Sequence, residues 1–336
     1  MKANSYYNIK FESGKLTYLD QTVLPLKEIY ISTESYERVA EAIERLEVRG
    51  APLIGITAAY GLVLSIKDSG NPENDFYRAF NRLASTRPTA VNLFYALERM
   101  KNVFESIENV NDSYRILLAE AEKIHFEENE YSEKIAHNGI RIFKKKSNVL
   151  THCNTGSLAA GGMGTAFSVI KHAYDNHLVS HVYADETRPL LQGLRLTSYE
   201  LFKNDIPFSV NTDSSAAVLM QQLKVDLVIT GADRIALNGD TANKIGTYNL
   251  AVLCNYHNIP FYIAAPSTTI DRSIPNGTGI EIEFRNSSEL REVNGITIAP
   301  ENYPTYMPAF DITPSHLITG IITEEDLFLF PYNFIK

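Results

Sequence analysis

The feature that most restricts what this chain can fold into is a rhythm in its second half. Five short apolar runs, Val149–Thr151, Val182–Ala184, Phe208–Asn211, Leu227–Ile229 and Phe261–Ala264, are rich in β-branched and aromatic residues. Between them lie helix-length segments at 164–176, 194–203, 215–223 and 246–257. Alternation of this kind predicts an α/β fold, a parallel sheet with helices on both faces. Ligands in such folds bind beyond the carboxyl ends of the strands. Here each run ends in a polar cluster: His152–Asn154, Asp185–Arg188, Thr212–Ser215, Gly231–Arg234 and Ser267–Thr269. Those clusters are expected to converge on one site.

The first third has a mixed texture. Lys15–Tyr18 and Glu28–Ser32 read as short strands around a turn at Leu24–Pro25. Tyr36, Val39, Ala40, Ile43 and Leu46 fall at helical spacing, with Thr33 or Ser35 as the N-cap. Residues 51–66 are apolar almost all round, which predicts a buried helix with Pro52 in its first turn. A further helix is expected from near Pro88, carrying Leu93, Leu97 and Met100, and a charged helical stretch from about Ser113 to Lys145. A length of 336 residues suggests two domains, placed at 1–130 (helix-rich, with short strands) and 131–336 (the strand–helix half, expected to carry the site).

Composition removes several classes of function. A net charge of -9 gives no basic footprint for nucleic acid. No run reaches the ~18 apolar residues of a membrane span, and the first residues lack the apolar core of a signal peptide. Two cysteines make neither a disulfide scaffold nor a zinc ribbon. These observations describe a soluble, cytoplasmic protein, expected to be an enzyme.

Two residues stand out for chemistry. Cys153 follows an apolar strand and precedes Asn154-Thr155-Gly156, so the expectation is a cysteine at a strand-to-helix turn, near helix amides that favour a thiolate. Cys254, among Leu250, Val252 and Leu253, reads as core. Asp233, in Gly231-Ala232-Asp233-Arg234, ends another strand, where partial burial favours the protonated form needed by a general acid. On position alone it reads equally well as a partner of Arg234 or Lys244, or as a helix cap. Asn238-Gly239-Asp240 reads as a turn, with Asn243-Lys244 leading into the next helix and Lys244 able to hold an anion or a sugar hydroxyl. Arg49-Gly50-Ala51-Pro52 sets an arginine and free amides at the start of a buried helix, a combination that favours an anion. Arg87-Pro88-Thr89 repeats the device. Neither GxxxxGK nor GxGxxG occurs, and neither HExxH nor paired cysteine ligands appear, so the expected ligand is one small phosphorylated molecule, with no metal or redox cofactor.

Taken together, the stretches VRGAPLIGITAAYGL, STRPTAVNLFYALERM, THCNTGSLAA, YADETRPLLQGLRLT, GADRIALNGDTANKIGTYNLAVL and MPAFDITPSHLITGIITE resemble the methylthioribose-1-phosphate isomerase family of methionine salvage. Its superfamily includes ribose-1,5-bisphosphate isomerases and regulatory subunits of translation initiation factor 2B. The resemblance implies a small N-terminal domain joined to a Rossmann-like domain, usually in a homodimer. It also implies Cys153 and Asp233 as catalytic residues, and Arg49, Gly50, Ala51, Arg87, Gln192, Asn243 and Lys244 as substrate-binding residues. Met163, Leu190, Leu194 and Met307 depart from the residues usual in the family. Isomerases of 5-deoxyribose 1-phosphate or ribose 1,5-bisphosphate, and a non-catalytic sugar-phosphate sensor, are the alternatives.

Overall fold

The computed structural model describes residues 6–88, 90–293 and 295–334. The chain divides into two compact units. The first runs to Glu133 and includes Gly156–Gly164; the second holds Lys134–Thr155 and everything from Thr165 onward.

In the first unit, β1 (Ile9–Glu12), β2 (Lys15–Leu19) and β3 (Tyr30–Thr33) form an antiparallel sheet in sequence order. Then come α1 (Tyr36–Glu44), α2 (Ala51–Ile66), α3 (Pro72–Ala84), α4 (Val91–Glu105) and α5 (Ser113–Gly139), which ends in the second unit. Ser35 caps α1 by accepting from the Arg38 amide. Every residue of α2 from Leu53 to Ile66 is buried, the central rod against which α1, α3 and α4 pack. The Phe76 and Phe104 rings stack at 4.1 Å beside it. The expected strands, the buried α2 and the α1 cap are all present. β1 and α3 were not anticipated. Helix α4 begins at Val91 rather than near Pro88, because the Ala90 amide turns back to the Arg87 carbonyl first. Thr89 lies outside the described residues.

The second unit bears out the α/β expectation. Its main elements are β4 (Ser147–His152), α6 (Ala166–Asp175), β5 (Val179–Glu186), α7 (Ser198–Lys203), β6 (Phe208–Thr212), α8 (Ala216–Gln221) and β7 (Leu227–Thr230). They continue with β8 (Arg234–Ala236), β9 (Thr241–Lys244), α9 (Thr247–His257), β10 (Phe261–Ala264) and β11 (Ile270–Asp271). Next are α10 (Ser288–Arg291), β12 (Glu292–Val293), β13 (Ile296–Thr297), β14 (Phe310–Thr313), β15 (Gly320–Ile322) and β16 (Leu327–Leu329). The seven-stranded sheet has the order β16-β15-β10-β7-β4-β5-β6, parallel except for the edge strand β16. Strand order reverses at β4, which pairs with β5 on one side and β7 on the other. A smaller sheet, β11-β8-β9-β14, follows from the turn at Asn238–Asp240. The sequence hid it because its strands are two to four residues long and carry few apolar side chains.

Cys254 sits on α9 at 1% exposure, in the cluster formed with Leu250, Ala251, Ile263 and Ile321, and burial pushes its thiol up. Cys254→Ser would place a hydroxyl there and should lower stability by about 1–3 kcal/mol while leaving the site's chemistry intact. A urea midpoint equal to the parent's would contradict this packing.

Candidate active site

The reversal of strand order at β4 opens a crevice at the carboxyl ends of β4 and β7, the place where open α/β sheets bind ligands. Leu150 pairs with Val228, so the two strands end nearly level. Cys153 follows β4 and Asp233 follows β7.

Cys153 holds a left-handed backbone, φ 63°, which an L residue adopts only when its surroundings impose it. Those surroundings are visible. The Cys153 carbonyl accepts from the Thr197 hydroxyl. Asn154 donates to Thr197 Oγ1 at 3.3 Å and to the fully buried Glu200 carboxylate at 2.5 Å. Thr197 ends a π-helical turn, Gly193–Thr197, and Glu200 lies on α7 directly after it. The same turn begins just past Gln192, whose Oε1 accepts from Cys153 Sγ at 3.1 Å. Cys153 and Gln192, both buried, are thus brought into contact.

The expected helix directly after Cys153 is not there. Residues Gly156–Gly164 belong to the first unit, and α6 starts only at Ala166. The thiol is therefore held by a carboxamide rather than by helix amides.

Asp233 is half-buried, and its amide donates to the Ala242 carbonyl of β9 at 2.9 Å. It precedes strand β8 rather than a helix, and Arg234 turns to Asp271 at 3.8 Å. Next on β9 come Asn243 and Lys244, both buried and paired with Asp311 and Phe310 of β14. The Lys244 ammonium lies 4.7 Å from the centre of the Phe310 ring. Asn243 Nδ2 donates to Thr247 Oγ1 at 3.0 Å, which donates to the Lys244 carbonyl at 2.7 Å. At the end of β5, the buried polar atoms Glu186 Oε2, Thr187 Oγ1 and Arg188 Nε make no hydrogen bond among the described residues.

The first unit, taken by itself, holds the residues expected at the two helix starts. Arg49 is buried and its Nε donates to Gln21 Oε1 at 3.2 Å. Gly50 precedes α2 with φ +98°, and a Cβ there would strike the backbone of Ala159, so glycine is required. The Leu53 amide is already bound to the Ala159 carbonyl at 3.2 Å. With Pro52 lacking an N–H, an anion at this helix start would draw on Ala51 and Arg49. Arg87 is half-buried in the turn before α4, and Pro88 is not that helix's first residue. Among the described residues no group of three or more His, Cys, Asp or Glu side chains is placed to hold a metal ion.

Two groups escaped the sequence reading. His152 and Asp185 were visible only as members of polar clusters, yet both are fully buried and bonded, Nδ1 to Oδ2, at 3.2 Å. Asp311 accepts from the Gly246 and Tyr248 amides at 2.7 and 3.0 Å and so caps α9 from another strand. Burial pushes the Asp185 and Asp311 carboxyls up, with these hydrogen bonds opposing.

Comparison with known proteins places these residues in context. Residues 47–328 match the model of the Initiation factor 2 subunit family. The chain is 50% identical over 331 residues to the methylthioribose-1-phosphate isomerase of Caldicellulosiruptor saccharolyticus, covering 97% of each. It is 50% identical over 332 residues to the protein of the same name from Desulfitobacterium hafniense, covering 97% of this chain and 96% of that one. The fold matches the crystal structure of 5-methylthioribose 1-phosphate isomerase from Pyrococcus horikoshii with a TM-score of 0.93 and 39% identity, over 98% of this chain and 94% of that one. It also matches the translation initiation factor eIF-2B, subunit delta, from A. fulgidus, with a TM-score of 0.89 and 40% identity, over 98% and 97%.

The left-handed turn at Cys153 makes a sharp expectation. Cys153→Gly should be more stable than Cys153→Ala by about 1–2 kcal/mol, since both lose the thiol but only alanine retains the backbone strain. Equal urea midpoints for the two variants would show that the turn carries no strain.

Proposed function

The chain belongs to the Initiation factor 2 subunit family, and we propose that within it this protein is an aldose–ketose isomerase that converts 5-methylthioribose 1-phosphate to 5-methylthioribulose 1-phosphate, a step of methionine salvage. What carries the reading is the Cys153–Gln192 contact at the strand-order reversal, in a chain half identical to enzymes of that name over nearly its whole length.

The reaction poses a specific difficulty. A phosphate on C1 prevents the spontaneous ring opening available to free aldoses. The ring oxygen must therefore be protonated as its bond to C1 breaks, and Asp233 is assigned that role. A hydrogen then moves from C2 to C1, and Cys153 is assigned to it, its thiol oriented by Gln192. Hydrogen moves within the substrate, so acid–base groups suffice and no external oxidant is needed. Arg49, Gly50, Ala51, Arg87, Asn243 and Lys244 are assigned to the phosphate and sugar hydroxyls, arginine and helix-start amides being suited to the phosphate.

A cytoplasmic homodimer accompanies this reading. Helix α9 presents Tyr248, Val252 and Tyr256 to solvent at four-residue spacing, an apolar stripe that a second copy would cover. Among the described residues no helix is long and apolar enough to cross a membrane. The 40% identity to the A. fulgidus chain described as an initiation factor subunit favours, as second reading, a sensor that binds sugar phosphates without turnover.

Assay with methylthioribose 1-phosphate, 5-deoxyribose 1-phosphate and ribose 1,5-bisphosphate separates the readings: turnover is expected, fastest with the first, and binding without turnover would leave the sensor. Deuterium entering C1 from solvent would establish a proton route through an enediol; full retention of the C2 hydrogen would establish a hydride shift. Cys153→Ser should lose at least about 100-fold in turnover. Asp233→Asn should keep both stability and substrate binding while losing nearly all turnover. A destabilised but active Asp233→Asn variant would make it a structural ion-pair partner instead.

A further inference from the structure

The segment that carries Cys153 past β4 and the turn that follows Lys244 at the end of β9 are tied by one side chain to which no role has been assigned. His152, the last residue of β4, immediately precedes Cys153. Its Nε2 lies 2.9 Å from the carbonyl of Ile245, immediately after Lys244. A carbonyl only accepts, so Nε2 carries a hydrogen and donates it. Its Nδ1 lies 3.2 Å from Asp185 Oδ2, and the other Asp185 oxygen accepts from Asn211 Nδ2 at 2.7 Å. The imidazole is thus fixed at both nitrogens, and its carboxylate partner is fixed in turn. Gly246 has φ +104°, and a Cβ there would come within 2.7 Å of His152 Cε1 and 3.0 Å of Nε2. The backbone has been drawn against the ring as closely as a glycine permits.

We propose that His152 is a positioning residue. Through its Nε2 hydrogen bond to Ile245 it sets the Asn243–Gly246 turn in register with Cys153, and Asp185 and Asn211 hold its ring in the orientation this requires. The cooperating interactions lie on the far side of the same turn. The Ile245 amide donates to the Ala309 carbonyl at 3.0 Å, and the Gly246 amide donates to Asp311. The turn is pinned from β14 on one side and by His152 on the other. Without the His152 anchor the turn keeps its fold but loses the constraint that aims Lys244 and Asn243. Displacements of about 1 Å in a positioning group cost on the order of 100-fold in rate.

The two nitrogens can be separated by substitution. His152→Gln reaches far enough to donate to Ile245, whereas His152→Asn can meet Asp185 but falls short of Ile245. Gly246→Ala presses on the same contact from the opposite side. The kinetic test rests on the isomerase reading. With methylthioribose 1-phosphate, His152→Asn should raise KM at least about tenfold, and His152→Gln should restore it to within about threefold of the parent. Hydrogen exchange does not depend on that reading. The Gly246 and Tyr248 amides should exchange about tenfold faster in His152→Asn and in Gly246→Ala, and at close to the parental rate in His152→Gln. If the parent turns over none of the three sugar phosphates, the isomerase reading fails and the exchange data alone decide the inference. Equal exchange or equal KM in His152→Asn and His152→Gln, whether both parental or both impaired, would overturn it, because either result makes the Ile245 bond irrelevant. Should His152→Asn fail to fold, Gly246→Ala exchanging at the parental rate would likewise overturn it.

Discussion

Strand β4 pairs in parallel with β5 on one side and β7 on the other, and the rest of the second unit depends on that double pairing. A strand flanked by neighbours whose connections run in opposite directions leaves an opening at its carboxyl end that no crossover fills. Cys153 emerges into that opening and Asp233 emerges beside it. The left-handed backbone at Cys153 then turns the chain out of the sheet, away from the path that would begin a helix. Residues Gly156–Gly164 instead join the first unit, held there by Asn8 and Gln21 side chains on the carbonyls of Ala160 and Leu158 at 2.5 and 2.7 Å.

The polar groups around this opening are stabilised by one another. A buried charge or amide is costly unless bonded, and here the bonds form a connected set. Glu200 receives Asn154, Thr197 receives Asn154 and donates to the Cys153 carbonyl, Asp185 receives Asn211 and binds His152, and Asp311 receives two amides of the β9–α9 turn. These bonds tie the carboxyl ends of β4, β5 and β9, and the residues just past them, to α7, β6 and β14. Among the described residues, buried polar atoms of Glu186, Thr187 and Arg188, at and just past the end of β5, and Asn211 Oδ1 on β6 make no hydrogen bond.

Periodicity made much of this legible. The apolar runs ending at Thr151, Ala184, Asn211, Ile229 and Ala264 proved to be strands of the main sheet, and Ala51–Ile66 matched α2 end to end. Short polar strands were invisible: β8 and β9 pair through the turn at Gly239, and β14 adds to β9 from about seventy residues further along, neither with a clear apolar pattern. Helix α3 has a clear apolar face in Phe76, Ala79 and Leu83, and the sequence offered that signal.

The sequence by itself determined the fold class and the polar ending of each strand, and it singled out Cys153 and Asp233 as candidates for chemistry, because these depend on local patterns that a chain carries in any conformation. The tertiary structure decided which of those groups meet. That Cys153 faces Gln192, thirty-nine positions away, that Arg234 turns to Asp271, and that His152 reaches both Asp185 and Ile245 are consequences of strand order and register. Hydrogen bonds between residues so distant in sequence leave no local trace, since each partner's spacing along the chain is set by the crossovers between them and not by the contact itself.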